Sequence, residues 1–225
     1  MKFFKTVGSI FWKDVILELR TKEIFSSMFV FALLAMIIFN FTFELRKENV
    51  NQIAPGVLWV AFTFAGVLGL NRSFIIEKEK ESILGLMLTP VDRSAIYLGK
   101  VLGNIVFMLV VEAVTLPIFA VFFNYSFGPF IFPLLLVIAL GTIGFAAVGT
   151  IFSAMSVNTR MREVMLPILL FPVMVPVIIA AVKTTGLILE GKPWTGEVPW
   201  VNLLIAFDII FLAVSFLLFE HVIEE

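Results

Sequence analysis

Residues 59–100 read WVAFTFAGVLGLNRSFIIEKEKESILGLMLTPVDRSAIYLGK. An apolar run stops at Asn71 and Arg72 and gives way to alternating acids and bases, Glu77-Lys78-Glu79-Lys80-Glu81. A short apolar turn over 82–88, a Thr89-Pro90 break and a second apolar run follow. Two long apolar runs joined by one compact charged connection are the pattern of neighbouring membrane-crossing helices. This is the one long charged connection in a chain otherwise built for lipid, and a soluble partner that grips it would have a handle on the whole bundle.

Outward from this stretch the same pattern recurs. Of 225 residues 60% are hydrophobic and 15% charged, far from the composition of a soluble domain. Charge-poor stretches fall at about 24–43, 53–70, 101–123, 130–152, 164–182 and 200–219, and within them the charged residues are Glu112 and Asp208 alone. Each stretch is close to the ~20 residues that cross a hydrocarbon core. A β-barrel would show alternating segments of about ten residues instead. The fold class is therefore an all-α membrane protein of six spans, read as a single domain over 1–225.

Lysine and arginine set the expected orientation. Segments 1–23, 71–100 and 153–163 carry twelve of the sixteen, and the connections on the other side carry four. Both termini are expected in the cytoplasm, in a bacterial inner membrane. The first apolar run is too long for a signal-peptide core and lacks a small-x-small cleavage site. The absence of cysteine excludes disulfides and thiolate metal sites within the chain. No basic patch or motif points to nucleic acid.

Residues 3–22 read as an amphipathic helix lying in the membrane interface. Phe4, Val7, Phe11, Val15 and Leu19 share a face, while Lys5, Ser9, Lys13 and Arg20 gather opposite. Glu18 is placed to support Lys22 one turn on. Asp14 interrupts the apolar side and is expected to meet a partner protein or another cytoplasmic loop. The fourth span is rich in small residues, which lets helices approach closely in lipid. The fifth contains Pro167, Pro172 and Pro176 and is expected to be kinked or locally unwound. Residues 183–199 are expected to form a loop, or a hairpin on the outer face.

Chemistry is sparse. No Gly-rich phosphate loop is present, so the chain does not supply its own nucleotide motor. His221 is the single histidine and reads as a solvated end residue; one histidine cannot make a two-histidine haem site. Counting 1.5 Å per residue, Glu112 and Asp208 come to similar depth, roughly 12–13 Å from the outer edge. There they could share a polar cavity, or each could simply be neutral or hydrogen-bonded to a neighbouring helix. On the packing reading their amide replacements are silent, while leucine at either site orphans a polar neighbour. Thr89-Pro90-Val91-Asp92 reads as a helix start, with Thr89 as cap and Pro90 at the first helical position. Ile83, Leu84 and Leu86 lie on a short apolar piece rimmed by acids, suited to a cleft on a soluble partner.

Lys13-Asp14, Glu18, Leu19 and Arg20 on the first helix resemble the membrane subunits of ABC-2-class ABC transporters. So does the loop E-K-E-x-x-x-L-x-L-x-L-T-P-x-x-R, followed by Gly99-Lys100. More narrowly, WVAFTFAGVLGLNRSF, the E-x-E loop and the ending LFEHVIEE look like the cytochrome c maturation B family of permeases. That resemblance covers nearly the whole chain. It implies a permease with no enzymatic activity of its own, paired with a separate ABC ATPase subunit and with a second, haem-handling membrane subunit. It also implies delivery of haem to a periplasmic haem chaperone, with haem as cargo and no cofactor bound by this chain. The ATPase-coupling helix would lie between spans two and three, with Glu77, Glu79, Ile83, Leu84, Leu86 and Pro90 as its contacts. The alternative is a standalone proton-coupled transporter that uses Glu112 and Asp208.

Overall fold

The computed structural model describes residues 2–42, 47–79, 92–125, 128–157, 159, 161–191 and 198–224. Among these the regular structure is entirely helical: α1 (Lys2–Thr21), α2 (Glu23–Thr42), α3 (Lys47–Glu79), α4 (Arg93–Phe122), α5 (Ile131–Ser156), α6 (Arg162–Leu189) and α7 (Val198–Glu224). A 3-10 turn, Gly128–Phe130, leads into α5. The helices α2 to α7 are each long and apolar enough to cross a membrane. The spans expected from composition all exist, and most are longer than the charge-poor cores suggested. At 1.5 Å per residue α3 reaches about 50 Å, well beyond a ~30 Å hydrocarbon core.

α5 is the axis of the bundle, touching α3, α4, α6 and α7. Its glycines make this possible. A Cβ on Gly141 would overlap the Trp59 ring of α3, and one on Gly149 would overlap Leu70. Polar side chains stitch the same contacts: the Ser153 hydroxyl donates to the Leu70 carbonyl (2.9 Å), the Tyr97 hydroxyl to the Ala147 carbonyl (3.0 Å) and the Asn104 amide to Thr150 Oγ1 (3.0 Å). In a medium without water each such group needs a protein partner.

Phe3 meets Phe216, and Ile10 packs in one cluster with Phe74, Tyr97 and Phe219. The two termini therefore lie at the same end of the bundle, called here the α1 end. At the opposite end the Asn40 amide donates to the Phe122 carbonyl (2.8 Å) and the Tyr125 hydroxyl bonds the Leu189 carbonyl.

Two local expectations need correction, and a third is narrowed. The helix of span three begins later than Thr89: Asp92 is its N-cap, with φ −60° and ψ 124°, and its carboxylate accepts from the Ser94 N–H (3.0 Å). An aspartate satisfies a first-turn donor as well as threonine does, and the Thr-Pro signal drew attention away from it. Of the two forms expected for α6, a kink or local unwinding, the helix excludes the second. It runs continuously through Pro167, Pro172 and Pro176, because packing of a long apolar helix outweighs a few lost bonds. Residues 183–189 are not loop. They extend α6, with Thr184, Thr185, Ile188 and Leu189 buried, and the helix ends where Gly191 takes φ +70°. The piece 82–88 lies outside the described residues.

Candidate functional site

α1 carries three faces rather than two. Val7, Ile10, Asp14 and Glu18 follow helical spacing and are buried, and this stripe packs mainly on α4. Phe4, Trp12 and Leu19 form a second, exposed apolar stripe suited to lipid. Lys5, Ser9 and Arg20 are exposed on the remainder. The apolar face expected from Phe4, Val7, Phe11, Val15 and Leu19 is thus divided between protein and open surface. The acids lie on the protein side because each has a partner there.

Asp14 meets Lys100 of α4, with Nζ 2.9 Å from Oδ2, and Lys13 lies 3.2 Å from its other oxygen. Lys100 is 2% exposed and its ammonium stands 5.5 Å from the Phe74 ring of α3. Asp14 therefore finds its counter-charge within its own chain, at the start of span three. Glu18 does not merely support Lys22. Its carboxylate accepts from the N–H groups of Ile24 (3.2 Å) and Phe25 (2.7 Å), the first-turn donors of α2. Lys22 stands at the corner with φ 55° and has no side-chain acceptor, so Glu18 caps α2 from the preceding helix. Burial pushes the Glu18 carboxyl above its ordinary value, and the two backbone N–H groups oppose that rise.

Arg72 of α3 closes the ring: its Nε lies 3.0 Å from Oε2 of Glu23, on the first turn of α2, and its Nη2 pairs with the same oxygen. Asp14, Glu18, Glu23, Arg72, Phe74 and Lys100 thus form a collar joining α1, α2, α3 and α4. The helices that flank the charged connection both belong to this collar: α3 ends at Glu79 and α4 begins at Arg93. Of the expected loop contacts, Glu77 and Glu79 sit on the last turn of α3, while Ile83, Leu84, Leu86 and Pro90 lie outside the described residues. Lys100, Arg72 and Glu23 were missed by the sequence reading. The available signal was a lysine at the mouth of an apolar span, a cost that demands a counter-charge.

The intramembrane acids are separate sites. Both carboxylate oxygens of Glu112 lie 2.9 Å from the Thr142 hydroxyl of α5. Asp208 is buried with no hydrogen-bond partner on either oxygen among the described residues, and a Cβ on Gly144 would stand 2.5 Å from Oδ1. Thr142 and Gly144 are two residues apart, hence about 200° apart around the helix. The depths agree, as the counting predicted, but α5 stands between the carboxyls. His221 is exposed, at the rim of an apolar groove of about 380 Å³ between α5 and α7.

The arrangement binds helices to one another. Residues 5–224 match the family model described as CcmB protein. The chain belongs to the CcmB family. The Heme exporter protein B of Pseudomonas aeruginosa is 27% identical over 177 residues, covering 79% of both chains. That of Rhodobacter capsulatus is 26% identical over 167 residues, covering 74% of this chain and 76% of the relative. That of Haemophilus influenzae is 28% identical over 178 residues, covering 79% and 80%. A CcmB match across six long apolar helices makes this chain a multi-pass membrane protein.

Proposed function

We propose that this chain is the permease subunit of an ABC transporter complex for cytochrome c maturation. In it, ATP hydrolysis by a separate subunit is coupled to export of haem or its delivery to a periplasmic haem chaperone. The relatives carry the name heme exporter, which supports haem as the cargo. The α1 end then faces the cytoplasm, in keeping with its share of lysine and arginine, and the membrane is the bacterial inner membrane. The chain itself is not an enzyme, and a second, haem-handling membrane protein completes the complex.

The observation that carries this reading is the collar. The helices that flank the charged connection are both held by ion pairs, Lys100 of α4 to Asp14 in the middle of α1 and Arg72 of α3 to Glu23 at the start of α2. An ATPase that moves the connection therefore moves α3 and α4, and through Asp14 and Glu23 it moves the interfacial helix and the first span. The Asp14–Lys100 pair is buried, and a buried charge left unpaired costs several kcal/mol, whereas Arg72 and Glu23 are half-exposed and hold one another less firmly. The proton-coupled alternative needs Glu112 and Asp208 to exchange protons, and the body of α5 between them counts against it.

The test is association with the motor. Glu77→Lys, Glu79→Lys and Leu84→Gln in one chain should abolish co-purification of the ATPase while membrane insertion continues. Undiminished ATPase recovery from that triple variant sinks the assignment of 77–90 as the coupling segment.

A further inference from the structure

One face of α6 is left incomplete by its own sequence. Ile168, Pro172, Val175, Pro176 and Ile179 follow helical spacing and are all exposed on the outside of the bundle. Proline has no N–H, so Pro172 withholds the donor that a helix would give the Ile168 carbonyl. Pro176 withholds the donor of the Pro172 carbonyl itself. The two carbonyls lie one turn apart on the exposed stripe, about 9 and 15 Å along α6 from Arg162. Among the described residues no side-chain hydrogen bond reaches either one. Lipid tails offer no donor at that depth, and an orphaned backbone acceptor there is unfavourable.

We infer that this face of α6 is covered by a transmembrane helix of a different membrane protein, whose hydroxyl or amide side chains donate to the Ile168 and Pro172 carbonyls. The partner is not a second copy seated on the same face. A two-fold dimer with its axis on this face would bring α6 against α6, and residues 163–181 contain no Ser, Thr, Asn, Gln, Tyr or Trp. Apolar side chains at 168, 175 and 179 supply packing area, and the two carbonyls supply register. The inference rests on the six-span reading and on the proposal of a second membrane subunit. It does not rest on how the ATPase is held.

A photo-crosslinking amino acid placed at Ile168, Val175 or Ile179 in native membranes tests it, with Ile209, on an exposed face of α7, as the control. The expected product joins α6 to another membrane protein, mapped by mass spectrometry to a helix with Ser, Thr, Asn or Gln within one turn of the adduct. Pro172→Ala with Pro176→Ala returns both missing N–H donors to the helix, so the carbonyls no longer need the partner. The crosslink should then fall roughly tenfold, the weight of two hydrogen bonds, while the thermal stability of the chain holds or rises. Lipid adducts alone, or a self-adduct of twice 25.2 kDa, overturn the inference. So does a partner helix without such donors, or an undiminished yield from the double variant. Failure here with ATPase recovery intact rejects the surface and leaves the permease assignment standing.

Discussion

Replacing Lys100 with methionine separates the stability of the collar from its role in transmission. Methionine nearly matches lysine in length and removes the charge, leaving Asp14, 7% exposed, without the ammonium at 2.9 Å. Stripping one partner from a buried pair costs about 3–5 kcal/mol. Lys13 remains 3.2 Å from Asp14 and is 39% exposed, so the low end, about 3 kcal/mol, is expected. Asp14→Leu with Lys100→Met removes both charges and keeps the side-chain shapes. Such a double replacement of a buried pair comes out neutral or stabilising, so it should unfold within about 1 kcal/mol of the parent protein. Unfolding of the purified protein in detergent, as a double-mutant cycle, measures this directly. Cytochrome c maturation is the second readout: if the pair transmits force, the stable double variant stays defective. A cost below about 1 kcal/mol for Lys100→Met, or a double variant as unstable as the sum of the singles, refutes the buried-pair reasoning. A stable double variant with full maturation refutes transmission.

The intramembrane acids should behave differently from each other. Glu112→Gln keeps an acceptor for Thr142 and should leave maturation and stability unchanged. Asp208→Asn should also be silent, but Asp208→Leu, nearly isosteric, should raise the unfolding temperature, because the aspartate has no hydrogen bond to lose; a steep loss of maturation at equal abundance in both amide variants would sink the packing reading. Gly141→Val should destabilise the chain by about 1–3 kcal/mol through overpacking on Trp59, seen as a lower unfolding temperature, and unchanged stability would contradict the close α3–α5 contact. Burial raises the Glu18 carboxyl above 4.5, so the folded state holds its proton more tightly than the unfolded one. Stability from this group is greatest below pH 4.5 and falls as pH rises through the raised value. The difference in unfolding temperature between the parent protein and Glu18→Gln should shrink or reverse on that rise, and a difference flat with pH excludes the shift.

The spans were legible because a bilayer demands some twenty apolar residues whatever the tertiary context, and the chain meets that demand six times. The small residues of span four were legible as packing for the same reason: Gly141 and Gly149 leave space that neighbours fill. The collar was harder to read. Asp14 and Lys100 are 86 residues apart, and nothing local in either sequence names the other. Glu18 was read only in part because the i+4 rule sees only one helix, whereas the sharp corner at Lys22 brings the next helix's first turn within reach. The opposite placement of Glu112 and Asp208 could not come from depth counting, which fixes height along the membrane normal and says nothing of angle around α5.

The glycine slots make the bundle a set of keyed parts. Trp59 and Leu70 of α3 seat on α5, and Phe145 of α5 seats at Gly66 of α3. Asp208 of α7 seats at Gly144, Met28 of α2 at Gly69, and Ile10 of α1 at Gly99 of α4. A helix turned by one residue, about 100°, would drive these side chains into neighbours that carry Cβ atoms. Helices α1 to α5 and α7 are thus indexed against one another and resist sliding or spinning independently. α6 stands outside this scheme: the atom nearest a Cβ on its Gly186 is Pro55 Cγ at an ordinary 3.6 Å, and none of its own side chains enters a slot among the described residues. Its register is held instead by hydrogen bonds, the Trp59 indole donating to Thr185 Oγ1 (2.9 Å) and the Tyr125 hydroxyl to the Leu189 carbonyl, contacts that a change of rotamer can release without any backbone clash.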